Sequence, residues 1–259
     1  MQLRKPMNEP LRKIPLVTAS FWVMKITATT LGETLGDFCS KDEAGLMWGY
    51  AKSTAILAPF LLVLLLWQIA RPGYRPAVFW ATVLATSTVG TTLADLIDRT
   101  QGLGYGLGSA LLVSLLAIVF IAWRASGEPL SVDAVQSRLT EGYYWVAIVI
   151  SNTLGTALGD YLAKDSAKGG MGLEVVASTL LLGGILLLLL VLWRFTGFHR
   201  VTLFWGAFIL TRPFGANLGD YLAEELKFGT TVVSLILGLV LAGLVFRATR
   251  ALPPTAARV

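Results

Sequence analysis

Long apolar segments alternate with short polar connections along nearly the whole chain, and each segment holds roughly 18 to 24 residues. An α-helix of that length crosses a bilayer core of about 30 Å. Because lipid offers no hydrogen-bond partners to the backbone, the pattern predicts membrane-spanning helices. Eight are predicted, at about residues 16–38, 51–70, 77–97, 108–124, 143–163, 174–194, 201–222 and 230–247.

The composition agrees with this pattern. Of the 259 residues, 55% are hydrophobic and 14% are charged, which is too apolar for a soluble domain of this length. We therefore interpret residues 1–259 as a single transmembrane domain of an all-α, polytopic membrane protein. The first segment follows basic residues as a signal peptide would, but it shares a motif with later segments and is kept as a helix. The single Cys39 cannot form an internal disulfide.

The basic residues divide unequally between the two sides of the membrane. If every segment spans, thirteen Lys and Arg lie on the side of the N-terminus and six lie on the other side. The more basic side is predicted to be cytoplasmic, which places both termini in the cytoplasm and favours the cytoplasmic (inner) membrane of a bacterium. The net charge of +5 is thus a topology signal, and nucleic acid is not a predicted partner.

A four-fold internal repeat is marked by aromatic pairs and by an Asp fifteen residues after each Trp. The pairs are Phe21-Trp22, Phe79-Trp80, Tyr144-Trp145 and Phe204-Trp205, and the acids are Asp37, Asp95, Asp160 and Asp220. Each unit continues through a short outer loop into a second apolar helix, so the units are predicted to be parallel helical hairpins. They cover about residues 16–72, 75–125, 142–196 and 200–248, and the linker 125–142 separates two halves.

Small residues precede each of these Asp residues at a fixed spacing. The pairs are Gly32/Gly36, Gly90/Ala94, Gly155/Gly159 and Gly215/Gly219. Small side chains spaced four apart allow another membrane helix to approach closely. Packing alone would explain them. If the first helices of the four repeats pack together, however, the glycines also bring four carboxylates to one level.

This pattern resembles a family of bacterial inner-membrane proteins of unknown function. That family is built from four tandem repeats, each with two transmembrane segments and a characteristic Trp. The resemblance extends from Phe21 to Arg247, and the aromatic-Trp pair followed by Gly-x-x-x-Gly/Ala-Asp carries it. It implies the fold and the location, and it implies no activity.

The four Asp residues are the sharpest functional signal in the chain. A single carboxylate near a helix end can be solvated by water, but four at one level repel each other unless protons or a cation offset the charge. With Glu33 they form the predicted metal site: Asp37, Asp95, Asp160, Asp220 and Glu33. Oxygen ligands without His or Cys suit a hard ion such as Mg²⁺, Mn²⁺ or Ca²⁺, and this divalent ion is the expected ligand.

Deeper in the membrane, the repeats differ at positions that are predicted to line a pathway or gate. These are Thr29, Ser87, Asn152 and Arg212, with Lys25 one turn further in. Arg212 and Lys25 are both expected to face Glu33 or Asp37, either as a structural ion pair or as part of a gate. Counted with the five acids, these two bases leave three negative charges, which favours a cation or protons over an anion. The repeated Trp22, Trp80, Trp145 and Trp205 either fill space or line a hydrophobic gate.

The leading hypothesis is a cation transporter or channel, for a divalent metal ion and with proton coupling. The alternative is a non-transporting scaffold or sensor whose internal charges are all paired. A third hypothesis is an anion or organic-solute carrier that uses Lys25 and Arg212. There is no nucleotide-binding loop and no metalloprotease motif, so an enzyme is not predicted. The expected partners are the lipid bilayer and a small cation or proton, and the protein is expected to be a monomer or homodimer.

Overall fold

A computed structural model of the protein describes residues 12–43, 45–132, 135 and 137–251. Within these ranges the chain forms eight long α-helices and no strand, which confirms the predicted all-α class. They are α1 (Ala19–Ser40), α2 (Tyr50–Ala70), α3 (Pro76–Asp95), α4 (Tyr105–Ala125), α5 (Arg138–Ala163), α6 (Glu174–Phe195), α7 (Arg200–Asp220) and α8 (Gly229–Arg250). Three of the basic residues that were counted to predict the topology lie outside the described ranges: Arg4, Lys5 and Arg258.

Six of these helices, α2, α3, α4, α5, α6 and α8, are long and apolar enough to cross a membrane. The other two, α1 and α7, are equally long but contain charged residues that lower their mean hydropathy. Apart from the exposed Arg200 at the start of α7, those charges are buried against neighbouring helices, as expected for charged side chains of a polytopic membrane protein. The chain is therefore a polytopic membrane protein with a polar interior.

The odd-numbered helices form a closed ring. Helix α1 packs against α3 and α7, and α5 packs against the same two helices from the opposite side. We call the end of the ring where the odd helices begin the basic end, and the end where they finish, at Asp37, Asp95, Asp160 and Asp220, the acidic end. The even helices lie outside the ring and expose most of their apolar surface, as lipid-facing helices should.

The even helices are displaced around the ring by one repeat, which the sequence did not indicate. Helix α2 packs mainly against α3, α4 against α5, α6 against α7, and α8 against α1. The two helices of one repeat are joined by a short loop, as predicted, but the second helix covers the first helix of the following repeat. Because α8 returns to α1, the arrangement is closed.

Glycine brings the odd helices into close contact, and the contacts repeat around the ring. A Cβ on Gly32 would lie 2.3 Å from the Cβ of Ser87, and one on Gly215 would lie 2.3 Å from Thr29 Oγ1. The corresponding glycines of the other repeats are also close to the next helix: a Cβ on Gly90 would lie 2.9 Å from the backbone of Asn152, and one on Gly155 would lie 2.1 Å from the side chain of Arg212. Each glycine thus faces the residue that lies three positions before the corresponding glycine of the next repeat. This repeated contact fixes the register of all four helices.

Aromatic side chains close the basic end of the ring. The Phe or Tyr of each repeat contacts the Trp of another repeat, and the four contacts follow one another around the ring. The ring centroids are separated by 5.7 Å in Phe21–Trp80, 5.5 Å in Phe79–Trp145, 6.1 Å in Tyr144–Trp205 and 5.7 Å in Trp22–Phe204. These distances are typical of favourable aromatic pairs, so the predicted Trp positions form a packed layer.

Replacing a ring glycine with a large residue should destabilise the protein. In Gly32→Leu the new side chain would overlap Ser87, and overpacking of this kind costs about 1–3 kcal/mol or more. Thermal unfolding in detergent should show a lower Tm. The matched control is Gly238→Leu in α8, where an added Cβ meets nothing within 4 Å. Equal losses in the two variants would contradict the close packing described for the ring.

Candidate cation site

The centre of the ring contains a buried ion pair that joins all four odd helices. Arg212 of α7 is fully buried, and its Nη1 donates to Glu33 Oε2 of α1 at 2.9 Å. Its Nη2 donates to Thr91 Oγ1 of α3 at 2.6 Å and to Thr156 Oγ1 of α5 at 2.9 Å. The pairing of Arg212 with Glu33 that the sequence predicted is therefore present.

The same hydroxyls also complete the environment of Glu33. Thr156 Oγ1 donates to Glu33 Oε2 at 3.0 Å, and Thr91 Oγ1 lies 3.2 Å from the same oxygen. Arg212 Nη2 also donates to the carbonyl oxygen of Ser87 at 3.1 Å. An ion pair in a low-dielectric interior needs partners for its remaining donors and acceptors. Residues of the other three repeats supply acceptors for Nη1 and Nη2 of Arg212, whereas its buried Nε has no hydrogen-bond partner among the described residues.

The other predicted pathway residues form a separate layer nearer the basic end. Lys25 is fully buried, donates to Asn152 Oδ1 at 3.3 Å and lies 4.0 Å from the ring centroid of Phe208. Asn152 Nδ2 donates in turn to Thr86 Oγ1 at 2.8 Å. Among the described residues no carboxylate lies within ion-pair distance of Lys25, so the expected pairing with Glu33 or Asp37 is wrong.

Thr29 and Ser87 have structural contacts at the helix interfaces. Thr29 Oγ1 donates to the carbonyl of Ile26, its own helix, and lies 3.3 Å from the carbonyl of Thr211 on α7. Ser87 contributes its backbone carbonyl to Arg212, whereas its buried Oγ has no hydrogen-bond partner among the described residues. Both residues face the glycine contacts described above, so their small size is part of the packing.

Basic residues at the acidic end pair with the four repeat-related Asp residues. Lys41 Nζ lies 3.0 Å from Asp37 Oδ2, and Arg99 Nε lies 2.7 Å from Asp95 Oδ1. The remaining contacts connect neighbouring repeats: Arg99 Nη2 with Asp160 Oδ2 at 2.8 Å, Lys164 Nζ with Asp160 Oδ1 at 3.7 Å, and Lys164 Nζ with Asp220 Oδ2 at 3.5 Å. Acids and bases therefore alternate from Asp95 to Asp220.

This alternation was missed in the sequence, although a signal was available. Lys41, Arg99 and Lys164 each follow a repeat-related Asp by four residues, the spacing at which helical side chains pair. The fourth repeat has Glu224 at this position. Lys41, Arg99 and Lys164 offset the predicted excess of three negative charges, although buried Asp98 and Glu224, which lies 3.9 Å from Lys41, add two acids at this end.

Local backbone structure positions two of these groups. A π-helical turn, Leu96–Thr100, follows Asp95, and a second, Tyr221–Glu225, follows Asp220. Such turns are uncommon and are frequent at functional sites. The first one carries Arg99, whose guanidinium reaches back to Asp95 and across to Asp160. Asp95 and Asp160 are held together by this one side chain.

Three carboxylates converge where the central layer meets the acidic end, and we call them the carboxylate trio: Glu33, Asp37 and Asp220. One oxygen from each lies within 4.8 Å of the other two, and all three residues are buried. The Oδ1 atom of Asp37 is buried without a hydrogen-bond partner among the described residues. Of the five predicted ligands, these three are brought together, whereas Asp95 and Asp160 are joined to each other through Arg99.

Lys41 and Lys164 lie just after the last residues of α1 and α5, beside Asp37 and Asp220 of the trio, and their side chains are 24% and 20% exposed. Burial lowers the pKa of Lys41, but the carboxylates of Asp37, Asp220 and Asp95 outweigh this and hold it well above its usual value. Burial acts in the same direction on Lys164, and Asp220 and Asp160 likewise raise its pKa. The neighbouring carboxylates therefore favour the charged form of both ammonium groups.

Comparison with known proteins gives a family and no further relatives. The model of a family described as Repeat of Unknown Function (DUF347) matches the chain four times, at residues 20–74, 78–128, 143–198 and 203–251. No curated protein and no solved structure matches the chain.

Replacing only one partner of the central ion pair should destabilise the protein more than replacing both partners. Arg212→Met leaves Glu33 buried without its base, and Glu33→Gln leaves Arg212 without its acid, so each should cost about 3–5 kcal/mol. The double variant should be more stable than the sum of the two losses predicts. Thermal unfolding of the four proteins in detergent measures this coupling. Strict additivity would show that the pair contributes nothing to stability.

Proposed function

The chain belongs to the DUF347 repeat family, whose function is unknown, and from this premise we propose that it transports a cation across the cytoplasmic membrane. The observation that carries the proposal is the carboxylate trio. Ionisable groups inside a membrane protein are costly, and where they converge they mark ion or proton pathways in many transporters. Three buried carboxylates with one unpartnered oxygen fit a site that binds and releases positive charge.

The transported ion would compete with cations that are tethered to the protein. Arg212 is held in the centre by three repeats and is the fixed counter-ion of Glu33. Lys41 and Lys164 are partly exposed, and their flexible stems allow the ammonium groups to move away from Asp37 and Asp220. An arriving cation would replace them at the carboxylates, and their return would help to expel it.

A divalent metal ion fits the trio best, with protons as the coupled species. Carboxylate oxygens are the preferred ligands of Mg²⁺, Mn²⁺ and Ca²⁺. Protonation of Asp37 or Asp220 would weaken the site, because a neutral carboxyl group attracts a metal ion less strongly. Entry of one ion and release of protons are therefore linked by the same oxygens. This linkage gives a physical basis for exchange between a metal ion and protons.

The orientation follows from the distribution of basic residues. Arg71, Arg75, Arg124 and Arg138 lie at or near the basic end, and a cytoplasmic location for this end agrees with the positive-inside rule. The trio would then lie closer to the outer surface, with Lys41 and Lys164 facing the periplasm. The aromatic layer would close the path toward the cytoplasm in this conformation.

A second candidate function is a non-transporting membrane module. The specific observation in its favour is that each of the five acids lies within ion-pair distance of a base. In that case the charges specify how the four repeats associate, and they bind no ion. Lys25, which contacts Asn152 and Phe208 and no described carboxylate, does not follow this pairing.

Metal binding should depend on the trio and not on acidic residues in general. Thermal unfolding of the purified protein should show a higher Tm with one of Mg²⁺, Mn²⁺ or Ca²⁺, because an ion that binds the folded state stabilises it. Asp220→Asn should abolish the shift. Asp95→Asn is the matched control, since it removes one of the two repeat-related carboxylates that lie outside the trio, and it should retain the shift.

Flux in proteoliposomes then separates the two functions. Uptake of the stabilising ion by the wild-type protein, with loss in Asp220→Asn and retention in Asp95→Asn, supports transport. A metal-dependent Tm shift without flux would indicate a membrane module that binds metal but does not transport it. The absence of any Tm shift would favour the non-transporting module whose acids are all paired with bases.

Removing a competing ammonium should strengthen metal binding. In Lys41→Met the carboxylate of Asp37 loses the ammonium group that lies 3.0 Å away. A metal ion that binds Asp37 then has no ammonium group to displace. We expect roughly fivefold higher affinity, as for an ion pair of about 1 kcal/mol at a partly exposed position. Titration of the Tm shift measures the affinity. Weaker binding in Lys41→Met would contradict the role of Lys41 as a competitor.

A further inference from the structure

A groove outside the ring has features of a lipid-binding site that are unrelated to the carboxylate trio. It lies between α4 and α5 near the basic end and has a volume of about 320 Å³. Apolar side chains from both helices line it, among them Ile118, Ala122, Leu139 and Val146. Ile118 and Leu139 are more than half exposed, so the groove opens toward the surface that faces the bilayer.

Gly142 contributes to the room in this groove. A Cβ added at Gly142 would meet nothing within 4 Å, so no neighbouring protein atom occupies the space above it. The corresponding residues, two positions before the aromatic residue of each pair, are Ala19, Ala77 and Thr202 in the other repeats. The missing side chain is thus specific to the third repeat. Close packing in the ring explains Gly90 and Gly155, but it does not explain this glycine.

A basic residue lies at the end of the groove nearest the expected head-group region. Arg138 lines the groove, is exposed and is the first residue of α5. Arg124, in the last turn of α4, lies at the same end of the bundle. Glu141 of the same helix turn is fully buried and pairs with Lys13 at 2.5 Å, so its charge is already compensated. Glu128 accepts a hydrogen bond from Thr140 in the same turn and offsets the partial positive charge at the start of α5, so Arg138 is the group that attracts an anion here.

We propose that this groove binds one anionic glycerophospholipid, with an acyl chain along the apolar wall and the phosphate against Arg138. The occupant is a bilayer lipid because the groove opens to the lipid-facing surface and its walls are apolar. A basic residue at the mouth of a groove between transmembrane helices on the cytoplasmic side recognises anionic head groups. The guanidinium group matches phosphate geometry through paired hydrogen bonds. This assignment does not depend on transport.

The test compares lipid binding by the full-length protein and three variants. Native mass spectrometry from detergent, with added phosphatidylglycerol or phosphatidylcholine, counts the bound lipids and gives their affinities. The wild-type protein should retain one phosphatidylglycerol in preference to phosphatidylcholine. Arg138→Gln should weaken that binding by about fivefold, as expected for one basic residue near an anionic lipid. Gly142→Leu should abolish it by filling the groove.

The matched control is Arg200→Gln, which changes the exposed first residue of α7. In that repeat Thr202 occupies the position of Gly142, so the room that Gly142 leaves is not present. It should leave the high-affinity lipid unchanged. Equal losses in Arg138→Gln and Arg200→Gln would show general attraction to a basic surface and would overturn the proposal. Equal retention of both lipids by the wild-type protein would also overturn it. If Gly142→Leu fails to fold, Arg138→Gln and its control still decide the result.

Discussion

A guanidinium group buried in a membrane protein needs several acceptors at once, and this requirement organises the ring. Arg212 takes its acceptors from α1, α3 and α5, so its two terminal nitrogens, Nη1 and Nη2, have all their partners only when the four odd helices are in place. Glu33 accepts from the same groups and depends on the same assembly. The four repeats are similar in sequence, yet this ion pair distinguishes the first and the last from the other two.

The glycine contacts provide the close approach that the ion pair needs. The Cγ of Arg212 lies where a side chain on Gly155 would begin, which leaves the guanidinium at the centre of the ring. The same spacing recurs at Gly32 and Gly215, so similar contacts position Ser87 and Thr29. Packing symmetry and chemical asymmetry are combined in this way: the backbone follows a four-fold pattern, and the residues eight positions before each Asp carry different side chains.

Much of this fold could be predicted from the sequence because it depends on local patterns. Hydrophobic segment length predicted the helices, and the fixed distance from Trp to Asp predicted the repeats and the equivalence of the odd helices. The pairing of Arg212 with Glu33 followed from the cost of burying a lone charge. The displacement of the even helices could not be predicted, because an apolar helix such as α2 carries no feature that selects α3 over α1.

The candidate site was predicted less well than the fold. The four Asp residues do lie at one end of the ring, but Arg99 and Lys164 divide them, and the trio depends on side-chain directions that spacing alone does not determine. The signal that was overlooked, a base four residues after each of three Asp residues, is local and visible in the sequence. Lys25 was the opposite case: its charge predicted an acidic partner, and the structure provides an amide and an aromatic ring.

The closure of the ring by α8 against α1 has a consequence for biosynthesis. Helix α1, which carries Lys25, Glu33 and Asp37, is made before α7, which carries Arg212, and before the covering helix α8. Until α7 and α8 emerge during translation, the buried acids of α1 lack Arg212 and need protons or water instead. Insertion of this protein is expected to be a late, concerted event, and a ribosome that stalls before α7 would leave a chain for membrane quality control to remove.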